Sequence, residues 1–347
     1  MASTYRFSFG PWNIHTGADP FGPAVRPDVP FARKVALCRE LGFDAMQFHD
    51  DDAVTEPEDK SPDQLQRAAG EIRSILEGEG LAAEFVAPRL WEHPNGIDGG
   101  YTANDPAVRA WAIERSKKAI DIARGLGTKM MVLWLAREGS YLRESKNAID
   151  AYKHVVDAIN AMLEYDKDIE IAIEPKPNEP TDHAYLPTIG HALAIASQTI
   201  DPTRVGGLIE TAHAILAGLD PSDEMGFALS MGKLWGVHLN DQNGLKFDED
   251  RSFAVINLRA AFNQVRVLER GGYADSGRYV GLDVKAIRTQ KADVDCRHLS
   301  NSRRLFLALV EKVRTFDSDL EAKLIAERDY EALDLAVIEH LMGLRTG

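Results

Sequence analysis

A chain of 347 residues, 44% hydrophobic and 27% charged, is long enough to bury a large core and too apolar to remain disordered. Its net charge of −14 repels phosphate backbones and argues against nucleic acid as a partner, whereas clustered carboxylates suit cations. No apolar run reaches the roughly 18 residues of a membrane span, and Met1 to Arg6 lack the basic start and apolar core of a secretory signal, so a cytoplasmic protein without a membrane partner is expected.

From the N-terminus onward, short apolar or β-branched runs alternate with longer amphipathic stretches, the pattern of parallel βα units. Strands are predicted to end near Phe9, Phe48, Val86, Trp134, Glu174, Glu210, His238 and Asp283. Helices are predicted over 30–41, 61–78, 105–126, 146–165, 187–199, 223–231, 257–270 and 301–314. Eight such units predict an α/β fold, a closed (β/α)8 TIM barrel, with residues 1–314 as the catalytic domain. Residues 315–347, with Leu320, Leu324, Leu333, Leu335, Ile338 and Leu341, predict a short C-terminal helical arm that cannot fold alone and packs on the barrel or on another subunit. Cys38 and Cys296 stand in no Cys-x-x-Cys pair, which leaves neither a disulfide framework nor a thiolate zinc site.

In such a barrel, functional groups follow the strands. Ile169 to Ile173 lead to Glu174, Arg204 to Ile209 to Glu210, Leu234 to Val237 to His238, and Arg278 to Leu282 to Asp283. A single Glu at a strand end is more often a surface residue or a helix cap. Several aimed at one barrel mouth are different, because buried carboxylates without counter-charge are costly, and the set predicts a metal site. Asp248 and Asp250, two apart in a segment read as extended, point the same way and suggest a second ion; Glu210 and His213, three apart, allow Glu210 to bridge both. Oxygen ligands with one or two imidazoles favour Mg, Mn or Co over structural zinc.

Glu174-Pro175-Lys176-Pro177-Asn178-Glu179-Pro180 resembles the EPKPNEP signature of the xylose isomerase family. The resemblance runs from Phe9-Gly10 through Asp19-Pro20-Phe21-Gly22, Phe48-His49-Asp50-Asp51-Asp52, His93-Pro94, residues 99–105, Trp134 and Arg137-Glu138-Gly139 to Asp283-Val284-Lys285, and is greatest to the shorter, actinobacterial-type branch. It implies two divalent metal ions. Glu174, Glu210 and Asp283 match ligands of the first, and Glu210, His213, Asp248 and Asp250 those of the second, with Asp250 also supporting deprotonation of a water on it. It further implies that His49, oriented by Asp52, opens the sugar ring, and that Lys176 stabilises the oxygen charge that develops as hydrogen moves. Taken alone, His49 to Asp52 would read as a loop cap and Lys176 as a salt-bridge partner of Glu174 or Glu179. Trp91 and Trp134 match aromatic walls of the sugar site, and Phe21 matches a residue inserted into a neighbouring subunit's site, implying a homodimer or homotetramer.

Two departures bear on the substrate. Aligning Asn240, Gln242, Gly244, Lys246, Asp248 and Asp250 on the family loop puts His238 where xylose isomerases have an aspartate ligand, as in rhamnose isomerases and ketose 3-epimerases. The expected first site is therefore Glu174, Glu210, His238 and Asp283, and the imidazole favours Mn or Co. The segment Pro11 to Gly17 is one residue shorter than the family's, without a clean replacement for an active-site tryptophan, and His15 is expected in that space. The function expected is aldose–ketose isomerisation, D-xylose to D-xylulose or a related sugar, by ring opening and a metal-assisted 1,2-hydride shift. The alternatives are C3 epimerisation or action on a glycoside, then a metal-dependent endonuclease or a non-catalytic sugar-binding protein.

Overall fold

Strand-forming runs separated by amphipathic helices close on themselves when each helix returns the chain to the same end of the next strand. The computed structural model describes residues 4–245, 247–290 and 296–344; Lys246 of the aligned loop, the first three residues and residues 345–347 of the expected arm lie outside them. Eight parallel strands, β1 (Arg6–Phe9), β2 (Ala45–His49), β3 (Ala82–Ala87), β4 (Met130–Trp134), β5 (Glu170–Glu174), β6 (Val205–Glu210), β7 (Leu234–Leu239) and β8 (Tyr279–Leu282), pair in chain order. The barrel closes where Arg6 to Phe9 pair in register with Tyr279 to Leu282. The expected (β/α)8 barrel is the fold observed.

Alternation along the strands positions the site. Phe7, Phe9, Met46, Phe48, Val86, Met131, Leu133, Ile171, Ile173, Val237, Leu239, Val280 and Leu282 are buried in the layer beneath the helices. Phe85, Ala87, Met130, Val132, Ala172 and Leu208 form a separate, smaller cluster, the barrel interior. Continued by two residues, the same period turns His49, Trp134, Glu174, Glu210, His238 and Asp283 inward at the C-terminal mouth. Gly281 is required there: a Cβ would meet Val237 O at 2.7 Å and His238 Cδ2 at 2.8 Å, so the bare position makes room for the His238 ring.

Outside lie helices α1 (Phe31–Glu40), α2 (Pro62–Gly78), α3 (Pro106–Leu126), α4 (Ala148–Tyr165), α5 (Ile189–Ala196), α6 (Pro221–Ser230), α7 (Leu258–Arg270) and α8 (Arg297–Thr315). Asp105, Asn147, Asp220 and Asn257 accept hydrogen bonds from the first turns of α3, α4, α6 and α7, and Pro stands first in α2, α3 and α6. Short elements escaped the sequence reading, among them the helices Asp50–Ala53 and Thr211–Leu216, several 3-10 turns, and a two-stranded ribbon of Gly139–Ser140 with His183–Ala184. All are too short to show a period.

The C-terminal segment forms two helices, α9 (Ser318–Glu327) and α10 (Tyr330–Met342), which lie on their own barrel. Glu321 of α9 pairs with Arg266 and, at 2.7 Å, with Arg270 of α7; the Phe316 ring meets Phe262 and His340. Cys38 is buried, Cys296 half-buried, and neither is in a disulfide. Among the described residues no helix is long and apolar enough to cross a membrane.

Candidate active site

Glu174 and Glu210, which end their strands, His238, one residue before the end of its strand, and Asp283, one residue beyond its strand, meet at the barrel mouth. His238 Nδ1 lies 3.2 Å from Glu174 Oε1 and 3.9 Å from Glu210 Oε2. His213, carried on Thr211–Leu216 directly after β6, brings Nε2 to 3.3 Å from Glu210 Oε1 and 3.1 Å from Asp248 Oδ2. Among the described residues, three groups bring ligand atoms within 4.8 Å of one another: Glu174, Glu210 and His213; Glu210, His238 and Asp283; Glu210, Asp248 and Asp250. Glu210 belongs to all three. The seven residues expected as metal ligands from the sequence are thus brought together around it.

Asp248 and Asp250 converge for a different reason from the one expected. The segment is not extended: Asp250 takes a left-handed φ of 46°, and residues Asp241 and Arg251 bridge the loop's two ends. Asn240 Nδ2 donates to Glu210 Oε1 at 2.8 Å and Asp250 Oδ1 at 3.2 Å, fastening that loop to β6. Lys176, buried, reaches Asp248 at 3.0 Å and Glu179 at 3.2 Å rather than Glu174, while Lys285 pairs with Asp250.

Five acidic side chains, Glu174, Glu210, Asp248, Asp250 and Asp283, crowd beside two ammonium groups, Lys176 and Lys285. Burial, with Asp248, Asp283, Asp250 and Glu174 beside it, pushes the Glu210 carboxyl well above the usual carboxylate range. Burial and then Asp248 push Asp250 up to about 8. Burial opposes charge on His238, but Glu174 outweighs it and raises the imidazole to about 9. His213 Nδ1 and Asp248 Oδ1 are buried and make no hydrogen bond. Crowded carboxyl groups that hold protons for want of counter-charge, buried donor-set atoms without a hydrogen bond, and an all-oxygen-and-imidazole donor set fit divalent cations of the Mg, Mn, Co type.

A cavity of about 590 Å³ opens above these groups, lined by the aromatic rings of Trp12, Phe85, Trp91 and Trp134 and by His49, Arg89, Arg137 and Lys176 among others. Trp91 and Trp134 pack with ring centroids 4.6 Å apart. His49 Nδ1 lies 2.8 Å from Asp52 Oδ2, as the pair read in the sequence requires. His15, expected in the space of an active-site tryptophan, is not among the residues lining the cavity, whereas Trp12 is. Trp12 lies against His49 at 4.2 Å and donates through Nε1 to Asp283 Oδ1 at 3.0 Å. His15 lies outside the cavity lining because Nδ1 accepts from Gly17 N at 2.9 Å, holding the ring on its own turn. Phe21 also lies outside the lining; it is 76% exposed and packs 5.5 Å from Phe247, while Pro20 beside it reaches the cavity.

Glu138 is a supporting residue that its Arg-Glu-Gly setting alone did not reveal. Its buried carboxylate accepts from Gly100 N at 2.7 Å, Tyr101 N at 3.1 Å, Thr102 N at 2.8 Å and Thr102 Oγ1 at 2.6 Å. It ties the loop that carries Trp91 to the loop after β4.

Among solved structures the chain is similar to a D-tagatose 3-epimerase-like protein, at 17% identity and TM-score 0.65 over 89% of this chain and 98% of that one. It is similar to an L-ribulose 3-epimerase at 17% identity and TM-score 0.65 over 93% and 98%, and to the apo form of a 3-keto-D-glucoside 4-epimerase from E. coli at 14% identity and TM-score 0.63 over 88% and 100%. At such identities the likeness is one of fold. The sequence match is more specific: residues 35–275, running from α1 past β7, fit the xylose isomerase-like TIM barrel, and with the barrel closed in that order the chain belongs to this family.

Proposed function

We propose that this protein is a divalent-metal-dependent sugar isomerase that interconverts an aldose and a ketose, D-xylose and D-xylulose or a close relative. The observation that carries the reading is the convergence of Glu174, Glu210, His213, His238, Asp248, Asp250 and Asp283 beside the Lys176 ammonium, at the floor of an aromatic-walled cavity. Glu174, Glu210, His238 and Asp283 would hold one cation; Glu210, His213, Asp248 and Asp250 would hold the other. Such ions, when bound, polarise the sugar's carbonyl and neighbouring hydroxyl and neutralise the carboxylates.

The chain's own groups supply the rest. Lys176 Nζ, held by Asp248 and Glu179, faces the cavity and stabilises negative charge growing on the substrate oxygen as hydrogen moves between the first two carbons. The rings of Trp12, Trp91 and Trp134 stack on sugar C–H faces and exclude water from the reacting carbons. His49, between Trp12 and Trp91, contacts the ring oxygens of the entering sugar. Phe21, exposed at the cavity rim, is proposed to enter a second subunit's site.

His238 supports a second reading, epimerisation at C3 of a ketose or of a glycoside, since an imidazole stands in the first metal set as in ketose 3-epimerases. Turnover of pentoses, hexoses and glycosides with Mn, Co and Mg separates the two, and retention of the migrating hydrogen without solvent deuterium marks the hydride route. Lys176→Met is expected to lower turnover by about 100-fold or more. Unchanged turnover would remove the polarising role, and no activity on any free aldose or ketose would remove the first reading.

A further inference from the structure

The segment Pro11 to Gly17, where the sequence departs from the family, carries a residue that the proposed reaction does not use. Asn13 closes a single 3-10 turn, Pro11–Asn13, directly after β1, and is completely buried. Every polar atom it has is partnered. Oδ1 accepts from Gly10 N at 2.9 Å, and Nδ2 donates to Asp283 Oδ1 at 3.0 Å and to Val284 O at 3.1 Å. The neighbours decide which end of the amide is which, because a backbone N–H only donates and a carbonyl oxygen only accepts. The backbone is held too, N donating to Gly10 O at 3.0 Å and O accepting from His298 Nε2 of α8 at 2.9 Å.

Asp283 Oδ1 receives a second hydrogen bond, from Trp12 Nε1 at 3.0 Å. With two donors on it, Oδ1 has both lone pairs engaged. Oδ2 hydrogen-bonds to none of the described residues, and a carboxylate oxygen of Asp283 lies within 4.8 Å of ligand atoms of Glu210 and His238. Turning the carboxylate out of this plane breaks both bonds at once. The Trp12 ring is itself held in place, against His49 on one side and over Gly10 on the other, where a Cβ would stand 2.1 Å from the ring. The two oxygens of Asp283 therefore have different surroundings, one filled by the protein and one left open.

We propose that Asn13, together with Trp12, is a positioning residue that holds Asp283 as a one-oxygen ligand, offering only Oδ2 to the first cation. The inference rests on the metal reading above and adds to it the number of oxygens this ligand delivers. Small cations that demand near-octahedral surroundings are suited by single carboxylate oxygens, whereas the larger Ca²⁺ accepts more ligands and two-oxygen carboxylates. Engaging Oδ1 therefore disfavours Ca²⁺ at this site. Removing the outer hydrogen bonds of a metal ligand weakens binding by about 10- to 100-fold. Here it also frees Oδ1 for a larger ion.

Calorimetric titration of the full chain, stripped with a chelator, with Mn²⁺ and separately with Ca²⁺ tests this without turnover. Asn13→Leu keeps nearly the same volume and removes the donor. It is expected to weaken one Mn²⁺ site by about 10- to 100-fold, leave the other unchanged, and narrow the preference of the weakened site for Mn²⁺ over Ca²⁺. Trp12→Phe keeps an aromatic ring, removes only the N–H, and is expected to move the same site in the same direction; it decides the matter if Asn13→Leu fails to fold. Unchanged affinity, equal weakening of both sites, or a weakened site with its ion preference unaltered overturns the proposal. A wild type that binds no Mn²⁺ defeats the metal reading and this inference with it, whereas two wild-type sites that the variants leave unaltered defeat this inference alone.

Discussion

Glu210 occupies the position on which the metal reading is most exposed to test, because its carboxylate joins every group of ligand atoms at the mouth. Asp248 joins only one. Replacing Glu210 by Gln keeps the volume and removes the charge, and is expected to abolish tight binding of both ions in a calorimetric titration with Mn²⁺. Asp248→Asn is expected to lose one equivalent and retain the other. Equal stoichiometry in the two variants would show that the groups do not divide into two sites. At this scale much was legible in the sequence: Glu174, Glu210, His238 and Asp283 each follow an apolar run, so strand period alone turns them inward. Trp12 and Arg89 were not legible. Trp12 lies in a three-residue 3-10 helix and Arg89 in an irregular loop, neither long enough to show a period, and an arginine in a loop reads as an ordinary surface cation.

At the scale of elements, the mouth depends on how loops are fastened to one another. The Glu138 carboxylate collects three backbone N–H groups and a hydroxyl from residues 100–102, and the ribbon of Gly139–Ser140 with His183–Ala184 joins the same loop to the one carrying Lys176. Hydrogen bonds to a charged group each contribute about 1.5–3 kcal/mol, and deleting the acceptor leaves buried N–H groups unpaired. Glu138→Ala is therefore expected to destabilise the fold by about 3 kcal/mol or more, measured by urea unfolding, and to raise the KM for sugar through displacement of Trp91. A variant with wild-type stability would contradict the anchoring role. The sequence marked Glu138 only as part of a shared Arg-Glu-Gly run, since its partners lie nearly forty residues earlier in the chain.

At the scale of the molecule, buried imidazoles make stability depend on pH. Burial, then Lys285 and Arg26, lowers His15 to about 4; burial, only partly offset by the hydrogen bond of Nε2 to Asn13 O, lowers His298 to about 4. Both titrate near 6.5 in the unfolded chain, so on acidification the unfolded chain takes up protons first. Their contribution is complete above pH 6.5 and is lost as the pH falls toward 4. Urea unfolding across that window is expected to show falling stability, with a flatter slope in His298→Gln. A slope unaltered by that substitution would assign the loss to other groups.

The eight strands, their closure into a barrel and the place of Glu174, Glu210, His238 and Asp283 near the strand ends could be read before any coordinates, because hydrophobic period is local and a barrel of parallel strands turns it into inward and outward faces. The shape of the second ligand loop could not, since Asp250 takes its left-handed turn only because Asn240, Lys285 and the bridge from Asp241 to Arg251 hold it there. The aromatic wall was decided in the same way. Trp12 is aligned by a hydrogen bond to Asp283, 271 residues away, and the His49–Asp52 pair lies beside Arg89 from the loop after the next strand. Contacts between distant segments carry no period along the chain, so only the closed barrel brings them together.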